Sequence, residues 1–140
     1  MSKTDRKFTV PGIPVAKARP RMTKQGHTYT PKKTADYEKR VRKAYAERYD
    51  EPLPDGIPLY MDVTFFMPIP KSWTKKKQEM ARREEIFPVG RPDIDNLWKG
   101  ILDALNGGVA YHDDSAVVAA EIRTCYSDEP RAEVVIGEYR

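Results

Sequence analysis

Between residues 91 and 105 the chain reads RPDIDNLWKGILDAL. Asp93 and Asp95 stand one residue apart, just after Pro92, and Lys99 follows four residues beyond Asp95. A second acidic pair, Asp113 and Asp114, comes a short way on. Carboxylates gathered in one place repel each other, and their pKa values rise when nothing positive holds them. A hard divalent cation removes that conflict. Mg²⁺ takes oxygen ligands from a few carboxylates, with water and phosphate completing its octahedron. Such an ion polarises a phosphodiester and lowers the pKa of a bound water. Lys99, one turn along from Asp95, is placed to stabilise charge developing on a phosphate.

Whether these groups can meet depends on the elements that carry them. Ile94, Leu97, Trp98, Ile101, Leu102 and Leu105 recur at helical spacing as one apolar stripe. Asn106-Gly107-Gly108 ends that helix. Asp93 lies at or before its first turn, and an extended stretch from Asp93 to Asp95 would point both side chains the same way. A helix of about 12 residues is roughly 18 Å long. The VAYH piece beyond the glycines spans about 13 Å at strand rise. Doubling back would then bring Asp113-Asp114 near the N-terminal half of the helix, within reach of Asp95. Plainer readings fit the same residues. Asp93 could be a helix N-cap, and Asp95 a first-turn acid or a surface ion-pair partner of Lys99. Asp113-Asp114 could be turn residues. Spacing alone leaves both readings open.

The charge distribution adds an anionic partner. Net charge over the 140 residues is only +4, but from Arg6 to Ala35 no acid occurs. That segment holds eight of the 25 bases, which leaves 17 bases against 21 acids elsewhere. From Asp93 to Asp114 the sign reverses, with five aspartates and the single base Lys99. Segregation of this kind suits a protein that holds a polyanion with one surface and a metal ion with another. Cys125 is the only cysteine, which excludes an internal disulfide and suggests no cysteine metal site. No apolar run approaches the length of a membrane span. The polar start MSKTDRKFTV reads as no export signal, so a reducing cytoplasm is expected.

KFTVPGIPVA reads as an extended edge segment, followed by a basic loop over about residues 17–30. Gly26 and the clustered like charges predict that this loop is mobile. Thr30-Pro31 starts a helix whose apolar face is Tyr37, Val41, Ala44, Tyr45 and Tyr49. LYMDVTFFM alternates as a strand with Leu59, Met61, Val63, Phe65 and Met67 on its buried side. A short basic helix capped by Ser72 or Thr74 follows. After the acidic motif, SAVVAAEIRTCYS and RAEVVIGEY read as two strands of a hairpin turning at Asp128-Glu129-Pro130. The whole chain, residues 1–140, is expected to be one α+β domain, a mixed β-sheet with helices packed on one face.

RPDIDNLWKGILDALNG followed by YHDDSAV resembles the RusA family of endodeoxyribonucleases, Holliday junction resolvases of bacteria and their prophages. PGIPVAKARPR is also similar to that family's Lys-x-Arg-Pro-Arg segment. The resemblance implies a RusA-like fold with catalytic Asp93, Asp95, Asp114 and Lys99, the three aspartates holding metal. It implies Mg²⁺ dependence, with Mn²⁺ as a substitute, and a homodimer acting on branched DNA. A four-way junction is close to two-fold symmetric, and a C₂ dimer would place one active site at each of two cuts. Lys17, Arg19, Arg21 and Lys24 are then the leading phosphate contacts, with Lys75, Lys76 and Lys77 as a second patch. Relatives often carry a lysine on the strand after the aspartate pair, where this chain has Arg123; its role, and that of His112, stays open. Two rivals remain: a non-catalytic module binding junctions or single strands, and a metal nuclease that prefers flaps or forks.

Overall fold

The computed structural model describes residues 5–18 and 21–140, with Arg21 described by its backbone alone. In chain order the elements are β1 (Arg6–Pro11), β2 (Arg21–Met22), β3 (Thr28–Tyr29), α1 (Lys32–Ala46), β4 (Leu59–Pro68), α2 (Lys75–Arg82) and α3 (Ile94–Ala104). A 3₁₀ turn (Asp114–Ala116), β5 (Val117–Ser127) and β6 (Arg131–Glu138) complete the chain. Four strands form one mixed sheet in the order β1-β6-β4-β5. β4 lies parallel to β5 and antiparallel to β6, and β1 is antiparallel to β6 at the edge.

The period-two pattern of β4 sets which face is covered. Leu59, Met61, Val63, Phe65 and Met67 are all buried, while their alternate neighbours are half-buried. Register places Phe65 between Thr124 of β5 and Ala132 of β6, so all three share the covered face. α1 packs there through Tyr37, Val41, Ala44 and Tyr45, and α3 through Leu97, Ile101 and Ala104. Most of the two faces that periodicity predicts is buried, but Ile94 at the start of α3 stays 43% exposed, and Tyr49, Trp98 and Leu102 are half-buried. Gly100 lies on the inner face of α3, where a Cβ would come within 3.3 Å of the Val15 carbonyl oxygen. The lack of a side chain lets the segment 15–18 cross α3, and Lys17 N–H donates to the Asn96 carbonyl at 2.9 Å.

The expected terminal hairpin is not formed. β5 and β6 are joined by residues 128–130, but β4 lies between them. Two strand spacings come to about 9.5 Å, which three linking residues span easily. A strand with five buried side chains gains most with a ladder on both of its edges, and β4 takes that central place. Pro68, which has no N–H to continue a ladder, ends β4 just where the link passes. The basic loop carries the small β2–β3 ribbon, turned through Thr23–His27 by a hydrogen bond from Thr23 N–H to the His27 carbonyl at 2.7 Å.

Removing the buried Ile101 side chain should cost about 2–5 kcal/mol; urea unfolding of Ile101→Ala measures it. A second expectation concerns alkaline pH. Burial raises the phenol pKa of Tyr37, Tyr45 and Tyr111, and burial with the nearby Asp5 pushes Tyr60 up to about 12. A folded-state pKa above the unfolded 10.0 gives stability that is complete below that value and lost as pH rises through the folded one. The melting temperature should therefore fall steeply above pH 10. Absorbance at 295 nm should show these four phenols ionising only as the fold is lost.

Candidate active site

α3 has one apolar side, and burying it decides where its polar residues go. With Leu97, Ile101 and Ala104 inward, Asp95 and Lys99 project to solvent on the outer side, four residues apart. Asp93 sits at the N-cap position in extended backbone, φ −71° and ψ 145°, yet its carboxylate makes no capping bond. Among the described residues, no cationic nitrogen lies within ion-pair distance of Asp93 or Asp95, and no carboxylate within that distance of Lys99. The cap and the Asp95–Lys99 surface pair, two of the plainer readings, are thus not formed. Two exposed carboxylates and an exposed ammonium remain at the start of one rigid helix.

The other acidic pair follows from the end of that helix. Ala110 N–H donates to the Leu105 carbonyl at 3.0 Å, and Gly108 N–H to the Tyr111 carbonyl at 2.9 Å. The Tyr111 ring is buried, and its hydroxyl donates to the Leu102 carbonyl at 2.6 Å. These bonds curl the chain under the C-terminal end of α3. The extended return expected for VAYH does not occur, and Asp113-Asp114 do not lie beside the N-terminal half. Asp114 N–H instead donates to Asn106 Oδ1 at 3.1 Å. Asp113 caps the 3₁₀ turn, its Oδ1 accepting from Ser115 N–H at 2.9 Å, so the turn reading holds for Asp113.

The two aspartates differ electrostatically. Backbone and side-chain bonds from Ser115 hold the Asp113 carboxyl below its usual range. Asp114 is shifted upward, first by burial, then by Asp113 and by the charge of Asp103. Asp103 is the acid of α3 nearest this pair in effect, and Asp95 lies about 12 Å back along the axis at 1.5 Å per residue. Among the described residues, no group of three or more His, Cys, Asp or Glu side chains gathers closely enough to hold a metal ion. The donor chemistry nevertheless suits one: hard carboxylate oxygens, two of them without a cationic partner and a third crowded by like charge.

The predicted phosphate contacts fall into three groups. Arg19 lies outside the described residues, and so does the side chain of Arg21. Lys24 is exposed in the turn of the β2–β3 ribbon, beside exposed Met22 and Tyr29. Lys17 is half-buried, its Nζ 2.7 Å from Glu38 and 3.4 Å from Asp103. Lys75, Lys76 and Lys77 are exposed on the first turn of α2, which Thr74 caps by accepting from Lys77 N–H at 3.2 Å. Lys77 Nζ lies 4.1 Å over the Trp73 ring, and Trp73 meets Tyr126 edge to face at 5.2 Å. Tyr126 in turn lines a cleft of about 250 Å³ with Leu97, Arg91 and Pro92. A continuous surface thus links the α2 lysines to the start of α3. Arg123 faces the other side of the sheet, held by Asp62 and Thr64 at 2.8 Å and Glu121 at 3.2 Å. His112 is exposed. Sequence reasoning missed Asn106, Tyr111 and Glu38. Asn106 carried only the signature of a helix end, and Glu38 none at all.

Because neither carboxylate makes a cap bond or an ion pair among the described residues, and Asp95 has only its first-turn place on α3, Asp93→Asn and Asp95→Asn should change unfolding free energy by no more than about 0.5 kcal/mol. Thr74→Ala, which deletes a formed cap, should cost about 1 kcal/mol. Chemical denaturation of the three variants together makes the comparison.

No helix among the described residues is long and apolar enough to cross a membrane. The model of the family described as endodeoxyribonuclease RusA matches residues 11–137. The uncharacterized protein YqaN of Bacillus subtilis (strain 168) is 41% identical over 137 residues, covering 94% of this chain and 95% of that protein. The crossover junction endodeoxyribonuclease rusA of Lactococcus phage r1t is 33% identical over 83 residues, 59% of this chain and 56% of that one. A match running from the end of β1 into β6 spans every element on which the acids, Lys99 and the α2 lysines are mounted, and the chain belongs to the endodeoxyribonuclease RusA family.

Proposed function

We propose that this protein is a divalent-metal-dependent endodeoxyribonuclease that resolves four-way DNA junctions as a homodimer. The observation that carries the reading is the pair Asp93 and Asp95, exposed at the start of α3 with Lys99 one turn on, and bound into no cap or ion pair among the described residues. Exposed charged groups on a rigid helix that no cap or ion pair engages are available for a ligand. Asp93, Asp95 and Asp114 would hold Mg²⁺ or Mn²⁺. The bound ion would supply Lewis acidity toward a phosphodiester and a water of lowered pKa. The chain's own residues do the rest. Lys99 offsets negative charge that builds on the phosphate. Arg19, Arg21 and Lys24, together with Lys75, Lys76 and Lys77, bind flanking phosphates without reading sequence. Lys77, already stacked on Trp73, keeps its ammonium outward over an aromatic face.

The family match and the name of the phage relative support the nuclease and junction parts of the reading. A homodimer follows from the substrate: two cuts in strands of like polarity need two sites related by a two-fold axis. A second reading, a family member that binds junctions without cutting, is favoured by one observation, the separation of Asp114 from the start of α3. Cleavage of a synthetic four-way junction with Mg²⁺ decides between them. Wild type should cut it in paired strands. Asp95→Asn should bind with similar affinity yet cut about a hundredfold more slowly or worse, the scale of losing several kcal/mol of charge stabilisation. A wild-type protein that shifts the junction in a gel but never cuts it, with Mg²⁺ or Mn²⁺, would establish the binding module. Flap and fork substrates in the same assay test the preference for junctions.

A further inference from the structure

We propose that the cleft between β5 and the start of α3 receives a single nucleobase that has left the helical stack, and that this contact selects branched DNA over plain duplex. It rests on the reading of the chain as a junction-binding nuclease. The cleft holds about 250 Å³, and Val89, Pro92, Leu97 and Tyr126 give it apolar walls. Arg91 and Thr124 are its polar members. Pro92 is the residue before Asp93, so an occupant of the cleft would lie beside the acidic motif. Three of the eight large apolar side chains exposed among the described residues, Phe87, Val89 and Ile94, fall within residues 87–94, with Val89 at 91%. Apolar groups gathered at one exposed place mark a surface that meets a partner.

Charge identifies the partner. Residues 71–91 carry seven bases against three acids. Arg82 and Arg83 are paired with Asp128 and Glu79. Lys71, Lys75, Lys76, Lys77 and Arg91 have no carboxylate within ion-pair distance among the described residues. A second copy of the chain seated here would set these cations against themselves, because a two-fold contact pairs a patch with its own copy. A polyanion is attracted instead. Aromatic rings interleaved with lysines are the means by which proteins hold unpaired bases. The aromatic wall is also fixed in advance. Gln78 Nε2 donates to the Pro70 and Trp73 carbonyls at 3.3 and 3.2 Å, which holds the turn that carries Trp73. Trp73 packs on Tyr126, and Arg82 ties α2 to Asp128, just beyond β5, at 2.8 Å. A base in a duplex enters such a cleft only by giving up its stacking and pairing, which costs least where a branch has already disturbed both. Selectivity follows from that difference, with no base sequence read.

Binding of a four-way junction and of a duplex of the same length is measured without Mg²⁺, so that nothing is cut. A junction carrying 5-iodouracil at the branch point reports contact by photocrosslinking, since this base joins to an aromatic ring on which it stacks. Wild type should crosslink at Tyr126, and the same base placed in the middle of an arm should not. Tyr126→Leu should lose the crosslink and weaken junction binding at least about fivefold, the low end of what one base–aromatic stack is worth. Its duplex affinity should stay within twofold and its salt slope should not change, because no phosphate contact is lost. Tyr126→Phe should match wild type. Val89→Ser, at an exposed position where the fold is not at stake, should weaken junction binding about threefold in the same selective way. Lys76→Gln is the contrast: it should weaken junction and duplex alike and flatten the salt slope by about 0.9. Junction affinities of Tyr126→Leu and Val89→Ser within twofold of wild type, or a crosslink that maps away from the cleft, would overturn the inference. A shift of Val89→Ser to monomer in sedimentation velocity would overturn it too, making the cleft a contact between copies. If Tyr126→Leu does not fold, Val89→Ser and the wild-type crosslink decide. Wild-type protein that binds junctions no more tightly than duplex would end the junction reading and this inference together; selective wild type with equally selective variants would end this inference alone.

Discussion

The arrangement rests on the burial of α3. A single helix carries the longest acidic motif in the chain and also a large share of the core, and both are satisfied only if its two sides do different work. Leu97, Ile101 and Ala104 enter the layer between α1 and the sheet, and Gly100 allows the 15–18 strap to lie against the helix backbone. Once those residues are inside, the 3.6-residue period leaves no choice about Asp95 and Lys99. They stand outward on a helix whose own freedom has been removed by packing. Charged groups on such an element are held by the whole core rather than by local bonds.

The strap gives the fold its economy. A segment of 20 residues between β1 and α1 would be a long loop if it only connected them. Instead Lys17 and Ala18 are bonded to α3 and α1 through Asn96 and Thr34, and the Lys17 ammonium adds ion pairs to Glu38 and Asp103. Thr34 is the one buried polar residue among those described, and its hydroxyl is engaged by Ala18. The pKa of Lys17 reflects the same competition: burial lowers it, Glu38 and then Asp103 raise it, and the net shift is upward. Opposite charges therefore win over desolvation here, as expected for a half-buried pair with good geometry rather than a fully dry one.

How much of this was legible from residues alone follows from the range of each interaction. The inward faces of α1, β4 and α3 are written in periodicities; β4 is buried as its alternation requires, and the helices bury all but the ends and margins of theirs, Ile94 among them being exposed. Thr74 was one of two candidates for a cap and forms it. Strand adjacency is a different kind of fact. β5 and β6 are neighbours in sequence, and nothing local says that β4 will part them. The path after α3 failed for a related reason. Four residues at strand rise would have returned Asp114 toward Asp95, but Tyr111 gains more by burying its ring under the helix end and bonding Leu102. That choice depends on a space which exists only after α3 has packed. The identity of the acids came from a motif. Their distance apart did not, because it is set by the tertiary course of the loop between them.

That distance bears on what a metal site in this fold has to be. Mg²⁺ is seldom enclosed by protein alone; one or two carboxylates with substrate phosphate and water are its usual company. In the proposed site Asp93 and Asp95 would supply such a pair without Asp114, on an exposed helix start. Asp114 stands at the far end, with its carboxyl already shifted toward the neutral form by burial and by its neighbours. Three acids drawn together in the absence of a cation would each carry that penalty. Among the described residues the three are not drawn together: Asp93 and Asp95 stand exposed at one end of α3 and Asp114 is bonded to Asn106 at the other.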